Sequence, residues 1–89
     1  MLVSVRLLGS LRPTGAPREI EVELPADSKM ASLIEKLSKV YPEIVPSLTN
    51  PSTSNLILLG GVEVGNLNGL DTPLCEDSEV VLVPVTHGG

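Results

Sequence analysis

Aromatic side chains are almost absent from this 89-residue sequence, which contains one tyrosine and neither tryptophan nor phenylalanine. One histidine, one cysteine and scattered carboxylates supply no internal disulfide and no visible metal cluster or catalytic triad. Six Lys and Arg against eleven Asp and Glu give a net charge of -5, which argues against nucleic-acid binding because that depends on clustered basic residues. No apolar run approaches membrane-spanning length. We therefore expect neither an enzyme nor a nucleic-acid or membrane binder, and no bound metal.

What is present is aliphatic. Hydrophobic residues make up 42% of the chain, enough for one compact core, and we predict a single domain over residues 1–89. Residues 1–8 are apolar but lack the basic start and longer apolar run of a signal peptide. The lone Cys75 suits a reducing compartment, so we predict a cytoplasmic protein. Cys75 has no activating neighbour in the sequence, which favours an incidental or structural thiol over a nucleophile.

Alternation of apolar and polar residues predicts the strands. Residues 3–7 and 19–24 alternate and form a predicted hairpin, the second with an acidic face of three glutamates. Residues 56–59 and 62–64 flank Gly60-Gly61, which predicts a tight turn, and residues 79–85 form the last strand. Residues 41–55 are predicted to be a loop with one helical turn.

One long helix is predicted after Pro25. Its apolar residues recur at helical spacing: Met30, Leu33, Ile34, Leu37 and Tyr41. Asp27 or Ser28 is expected to cap it, and Pro42 to end it. Glu35 and Lys39, four residues apart, are expected to pair. The predicted fold class is α+β, with a mixed four- to five-stranded sheet and one main helix packed on one face.

The helix leaves the other face of the sheet uncovered. By alternation, Val3, Val5, Leu7 and Leu82 should face the helix, which places Leu8, Val81 and Val83 on the open face. An open aliphatic face of this kind is usually a partner surface.

The sequence closes on Gly88-Gly89, which Thr86 and His87 separate from the last predicted strand. Two residues without Cβ atoms form a thin segment that can enter a narrow cleft. This pattern indicates that a partner enzyme activates the Gly89 carboxylate.

Three segments, spread over essentially the whole chain, carry a family resemblance. They are Val5-Arg6-Leu7-Leu8-Gly9-Ser10-Leu11-Arg12 with Gly15, then Ile57-Leu58-Leu59-Gly60-Gly61-Val62-Glu63-Val64, and Leu70-Asp71-Thr72-Pro73-Leu74-Cys75-Glu76-Asp77-Ser78-Glu79-Val80 with Val85-Thr86-His87-Gly88-Gly89. In combination they resemble the β-grasp sulfur-carrier and ubiquitin-like proteins: MoaD (the small subunit of molybdopterin synthase), ThiS, the ubiquitin-related modifier and the archaeal small modifiers. MoaD-like proteins often carry aromatic residues where Leu8 and Val83 stand. The His-Gly-Gly ending is similar to that of the ubiquitin-related modifier.

The resemblance implies a β-grasp fold with a flexible Gly-Gly tail and a carrier role. A partner related to ubiquitin-activating enzymes would use ATP to adenylate Gly89, and sulfur would then displace AMP to leave a thiocarboxylate. The resemblance also implies that Leu8, Leu67 and Val83 contribute to a partner-binding patch. Beside Gly88 in the tail, His87 is expected to be a solvated residue rather than a catalyst.

Several uses of such a chain remain open. Sulfur delivery for molybdopterin synthesis, with the large subunit of a molybdopterin synthase as partner, and tRNA thiolation both use the thiocarboxylate. Conjugation of Gly89 to lysines of target proteins shares the adenylation step. The second alternative, after conjugation, is a ubiquitin-like binding module that is never activated.

Overall fold

The computed structural model describes residues 1–49 and 53–86, which form a mixed five-stranded sheet and two α-helices. The sheet order is β2-β1-β5-β3-β4. The strands are β1 (Leu2–Leu7), β2 (Ile20–Glu23), β3 (Thr53–Leu59), β4 (Val62–Glu63) and β5 (Ser78–Thr86), and the helices are α1 (Met30–Val40) and α2 (Val45–Thr49). Short 3₁₀ turns lie at Gly9–Leu11, Pro42–Ile44, Val64–Asn66 and Gly69–Asp71. This arrangement confirms the predicted fold class.

The last strand lies at the centre of the sheet. β5 runs parallel to β1, with Val5 opposite Val80, and antiparallel to β3, with Ile57 opposite Leu82. The predicted hairpins are both present, since β1 pairs antiparallel with β2 and β3 pairs antiparallel with β4. Gly60 and Gly61 take φ values of 56° and 83°, the left-handed conformations that a tight two-residue turn requires.

Helix α1 and the inward face of the sheet share one aliphatic core. Its members are at most 9% exposed: Val3, Val5, Leu7, Leu11, Ile20, Val22, Leu24, Met30, Leu33, Leu37, Ile44, Val64, Leu74, Val80 and Leu82. Ile34 and Tyr41 pack against its edge. The predicted helical face and the predicted inward strand residues are therefore confirmed. Lys39 and Glu35 also pair as predicted, with 3.1 Å between Nζ and Oε1.

The predicted helix cap is wrong. Neither Asp27 nor Ser28 caps α1, because Lys29 holds the cap position and makes no side-chain cap bond. The Ser28 hydroxyl instead donates to the Pro25 carbonyl at 2.7 Å, and Asp27 adopts a φ of 66° within the turn. The Met30 N–H donates to the Thr72 carbonyl at 2.9 Å, so a distant segment satisfies one of the first donors of the helix.

The structure also refines the predicted bounds of β3 and β4 and the predicted segment after α1. β3 begins at Thr53 rather than at residue 56, because its pairing with β5 continues to Thr86. β4 ends at Glu63, and Val64 begins a 3₁₀ turn that buries it. The predicted loop after α1 contains the 3₁₀ turn Pro42–Ile44 and α2. Among the described residues, no helix is long and apolar enough to cross a membrane.

Candidate functional site: the open face of the sheet

Alternate residues of β5 point to opposite faces of the sheet. Val80 and Leu82 are at most 1% exposed and lie in the core. Val81 and Val83 therefore lie on the opposite face, where they are half-buried by neighbouring strands rather than covered by α1. The following valine on that face, Val85, is 41% exposed.

Neighbouring strands extend this apolar surface. In β3, Leu58 lies opposite Val81, and Leu56, which is 40% exposed, lies opposite Val83. On the other side, Leu8 follows β1, is 41% exposed, and donates its N–H to the Leu82 carbonyl at 3.1 Å. We call this surface the apolar patch and define it by Leu8, Leu56, Leu58, Val81, Val83 and Val85.

Three of the predicted partner-binding residues thus share one face. The register that pairs Leu7 with Leu82, continued by one residue, brings Leu8 beside Val83. Leu56 and Leu58 were not singled out from the sequence. Their alternation within an apolar run is the signal that could have found them, but it needed the β3–β5 register to decide which residues face outward.

Leu67 is placed differently. It follows the 3₁₀ turn Val64–Asn66, and its N–H donates to the Val64 carbonyl at 2.9 Å. Its side chain is 47% exposed, but it belongs to no strand, so the register that joins Leu8, Val81 and Val83 does not include it. A role for Leu67 in partner binding remains a prediction.

The other half of the open face is acidic. The β1–β2 register places Glu21 opposite Ser4, and the β1–β5 register places Glu79 on the other side of Ser4. Glu19 and Glu79 line a small cleft with Arg6 and Val81. Arg6 stands among these carboxylates, but within residues 1–49 and 53–86 the one salt bridge is that of Lys39 with Glu35 on α1, so the net charge of this half is negative. A partner therefore meets apolar and negatively charged halves side by side.

Chemically reactive side chains are sparse. Cys75 is exposed, with its Sγ 3.4 Å from the Ser78 hydroxyl in the turn before β5. The Cys75 N–H donates to the same hydroxyl at 3.0 Å, so Ser78 closes this turn. The described part of the chain holds no group of three His, Cys, Asp or Glu residues that could bind a metal ion. The predicted tail residues His87, Gly88 and Gly89 lie outside the described residues, and β5 ends at Thr86.

Solved structures with the same fold include three kinds of small protein. SAMP1 from Haloferax volcanii matches at a TM-score of 0.79 and 16% identity, over 100% of both chains. A putative molybdopterin converting factor, subunit 1, from Pyrococcus furiosus matches at 0.74 and 21% identity, over 93% of this chain and 95% of that one. Urm1 from Trypanosoma brucei matches at 0.69 and 18% identity, over 99% and 95%. These likenesses establish the ubiquitin-like β-grasp fold.

Sequence comparison identifies a family for this chain but no individual relative. No curated protein matches the sequence significantly. The model of the ThiS family matches residues 5–89, a range that begins within β1 and includes the other four strands and the closing Gly88-Gly89. On this match, which covers nearly the entire sequence, the chain belongs to the ThiS family.

Proposed function

We propose that this chain is a sulfur carrier whose reactive group is the carboxylate of Gly89. An oxygen of that carboxylate attacks the α-phosphorus of ATP on a partner enzyme, and pyrophosphate leaves. Hydrosulfide then attacks the acyl carbon, AMP leaves, and a thiocarboxylate remains. A free carboxylate is a poor acyl donor, so adenylation supplies the leaving group that the transfer needs. ATP is bound by the partner, and this chain contributes the substrate carboxylate.

One observation carries the proposal: the apolar patch includes the outward residues of β5, the strand that precedes the tail. Val81, Val83 and Val85 face outward along β5, and the tail begins after Thr86. Three further residues span at most about 10 Å. A partner that reaches Gly89 must therefore come close to this end of β5, where the apolar patch offers surface to bury.

The proposed partner is an adenylating protein related to ubiquitin-activating enzymes. It would present an apolar surface to Leu8 and Val83 while its nucleotide site receives Gly88 and Gly89. For the sulfur acceptor we propose the molybdopterin precursor or a tRNA. In the first case the large subunit of a molybdopterin synthase would dock on the same patch.

Conjugation to proteins is the second candidate function. SAMP1 from Haloferax volcanii shares this fold. So does the protein from Methanosarcina acetivorans whose structure is described as small archaeal modifier protein 1 (SAMP1). Attack by a lysine amine on the activated Gly89 carbonyl would give an isopeptide bond instead of a thiocarboxylate. Both uses begin with adenylation, so one activation assay tests their common step.

The experiment is mass spectrometry of the C-terminal peptide after incubation with ATP, hydrosulfide and the purified adenylating enzyme of the same organism. We expect one carboxylate oxygen of Gly89 to be replaced by sulfur, and no replacement when ATP is omitted. Cys75→Ser is the matched control, because it removes the only thiol without touching the tail. Sulfur carried only on Cys75, with Gly89 unchanged, would contradict the proposal. Lysine peptides bearing the tail from cells would favour conjugation.

A further inference from the structure

The end of β5 is supported differently along its two edges. On one edge, pairing with β3 continues to the end of the strand, where Thr53 lies opposite Thr86. On the other edge, pairing with β1 ends at Leu7 opposite Leu82, followed by the hydrogen bond from the Leu8 N–H to the Leu82 carbonyl. In the described residues, the part of β5 after Leu82 therefore has a strand neighbour on one edge only.

Pro84 stands at this point of the strand. The Leu82 carbonyl points toward β1, so the backbone nitrogen of Pro84, two residues later, lies on the same unpaired edge. A proline there removes no hydrogen bond from the β3–β5 ladder, and it blocks further strand pairing on that edge. This side of β5 contacts the 3₁₀ turn Gly9–Leu11 instead of a strand.

The neighbour on that side is Gly9. A methyl group placed on Gly9 would lie 3.0 Å from Pro84 Cγ and 3.6 Å from Pro84 Cδ. Because glycine has no Cβ, the Pro84 ring can pack directly against the Gly9 backbone. Gly9 has a φ of 55° and begins a 3₁₀ turn closed by the bond from the Arg12 N–H to the Gly9 carbonyl, 3.1 Å. Leu11, which is fully buried, anchors this turn in the core.

We propose that Gly9 is a positioning residue for the reaction at Gly89. Because the Pro84 ring packs against Gly9, Gly9 fixes the direction in which β5 continues from the apolar patch to the tail. The inference rests on the proposed function, since it concerns delivery of Gly89 to the adenylating site. Residues 87–89 extend at most about 10 Å beyond Thr86, which leaves little length to correct a misdirected strand. Small misplacements of a reacting group are costly in rate.

Gly69 provides a matched control. It has a φ of 56° and also begins a 3₁₀ turn, Gly69–Asp71, but a methyl group there would meet nothing within 4 Å. Because their φ values are nearly equal, Gly9→Ala and Gly69→Ala impose a similar strain from the left-handed backbone. Only Gly9→Ala also pushes against Pro84. Adding Pro84→Ala to Gly9→Ala removes the Cγ atom that is contacted.

The test is ATP–pyrophosphate exchange by the adenylating enzyme of the same organism, measured over a range of carrier concentrations. We expect Gly9→Ala to lower kcat by roughly threefold to tenfold with KM changed less than about twofold, because docking on the patch is retained while the tail is misdirected by a few tenths of an ångström. Gly69→Ala should match the original chain in both constants. The double variant Gly9→Ala with Pro84→Ala should recover kcat to the level of Pro84→Ala alone.

A second readout needs no partner. Residual dipolar couplings of the Val83 and Val85 amides should change in Gly9→Ala relative to those of β1, and remain unchanged in Gly69→Ala. Equal kinetic effects of the two alanine variants, or a rise in KM with unchanged kcat, would overturn the positioning role. Unchanged couplings would do the same. If the original chain itself supports no exchange, the proposed function fails, and with it the kinetic consequence inferred for Gly9.

Discussion

Replacing Val83 with aspartate should separate docking from folding. Val83 lies on the open face of the central strand, opposite Leu56, and is half-buried by its neighbours. A carboxylate at this position can point into water in the free protein. We therefore expect Val83→Asp to remain folded, with a stability loss of about 1 kcal/mol from the altered cross-strand pair. In a complex, the same carboxylate would face the partner.

The expected loss of affinity has two parts. Fully burying a valine is worth roughly 1.5–3 kcal/mol, and since Val83 is already half-buried, the contact left for a partner amounts to about 1 kcal/mol. That part alone weakens binding roughly fivefold. Stripping water from an unpaired carboxylate costs several kcal/mol more. The sum exceeds the ~1.4 kcal/mol that corresponds to a tenfold change, so Val83→Asp should weaken binding at least about tenfold.

Two variants calibrate this estimate. Val83→Ala removes part of the contact without adding charge, so we expect a loss of no more than about fivefold. Val40→Asp makes the same chemical change at the end of α1, where the valine is 54% exposed and lies outside the patch. It should bind the adenylating enzyme as the original chain does. Calorimetric titration gives the affinities, and circular dichroism with thermal melts reports the fold.

Three outcomes would each contradict a different part of this prediction. If Val83→Asp is folded and binds normally, the partner docks elsewhere and the apolar patch is not its site. If Val83→Asp unfolds, Val83 contributes to folding as a core residue would, and the open-face assignment fails. If Val40→Asp weakens binding as much as Val83→Asp does, added negative charge alone explains the effect.

Two further predictions concern the tail and the core. Deleting Gly89, or replacing Gly88 with a bulky residue such as leucine, should abolish ATP–pyrophosphate exchange with little change in melting temperature, because both residues follow β5; full exchange by the deletion variant would refute the role of Gly89. Leu82→Ala, at a position fully buried between β1 and β3, should lower the free energy of unfolding by about 2–5 kcal/mol in urea titration; a loss below about 1 kcal/mol would show that the site is not tightly packed.

The sequence predicted those parts of the fold in which local pattern and tertiary contact agree. Residues 3–7 alternate, and the same alternation decides which of them enter the core, as Val3 and Val5 show. In α1 the apolar residues recur at helical spacing, and the same residues enter the core, since Met30, Leu33 and Leu37 are buried. In these elements the periodicity of apolar residues in the sequence correctly predicts which side chains are buried and which are exposed.

The errors occurred where distant backbone decided the structure. Ser28 has the side chain of a helix cap, but its carbonyl accepts from the Leu74 N–H at 3.0 Å, and Met30 donates to Thr72. These bonds tie the start of α1 to residues more than 40 positions away in the sequence, and no local propensity encodes them. The start of β3 at Thr53 likewise depends on the length of β5. The same limitation concealed Leu56 and Leu58, because outward orientation depends on register.

A central strand that is apolar on both faces makes an aggregation-prone surface if only one face is covered. In this chain Leu82 enters the core while Val83 and Val85 remain outside, so the same strand builds the fold and presents the apolar patch. The acidic half of the open face, with Glu21 and Glu79 beside β1, opposes aggregation through this surface. Arg6 offsets part of this charge, but the carboxylates outnumber it, so two copies that met face to face would bring two net negative surfaces together, and like-charge repulsion disfavours that encounter. A partner with basic residues beside an apolar surface meets no such penalty, so the charge pattern discriminates between self-association and docking.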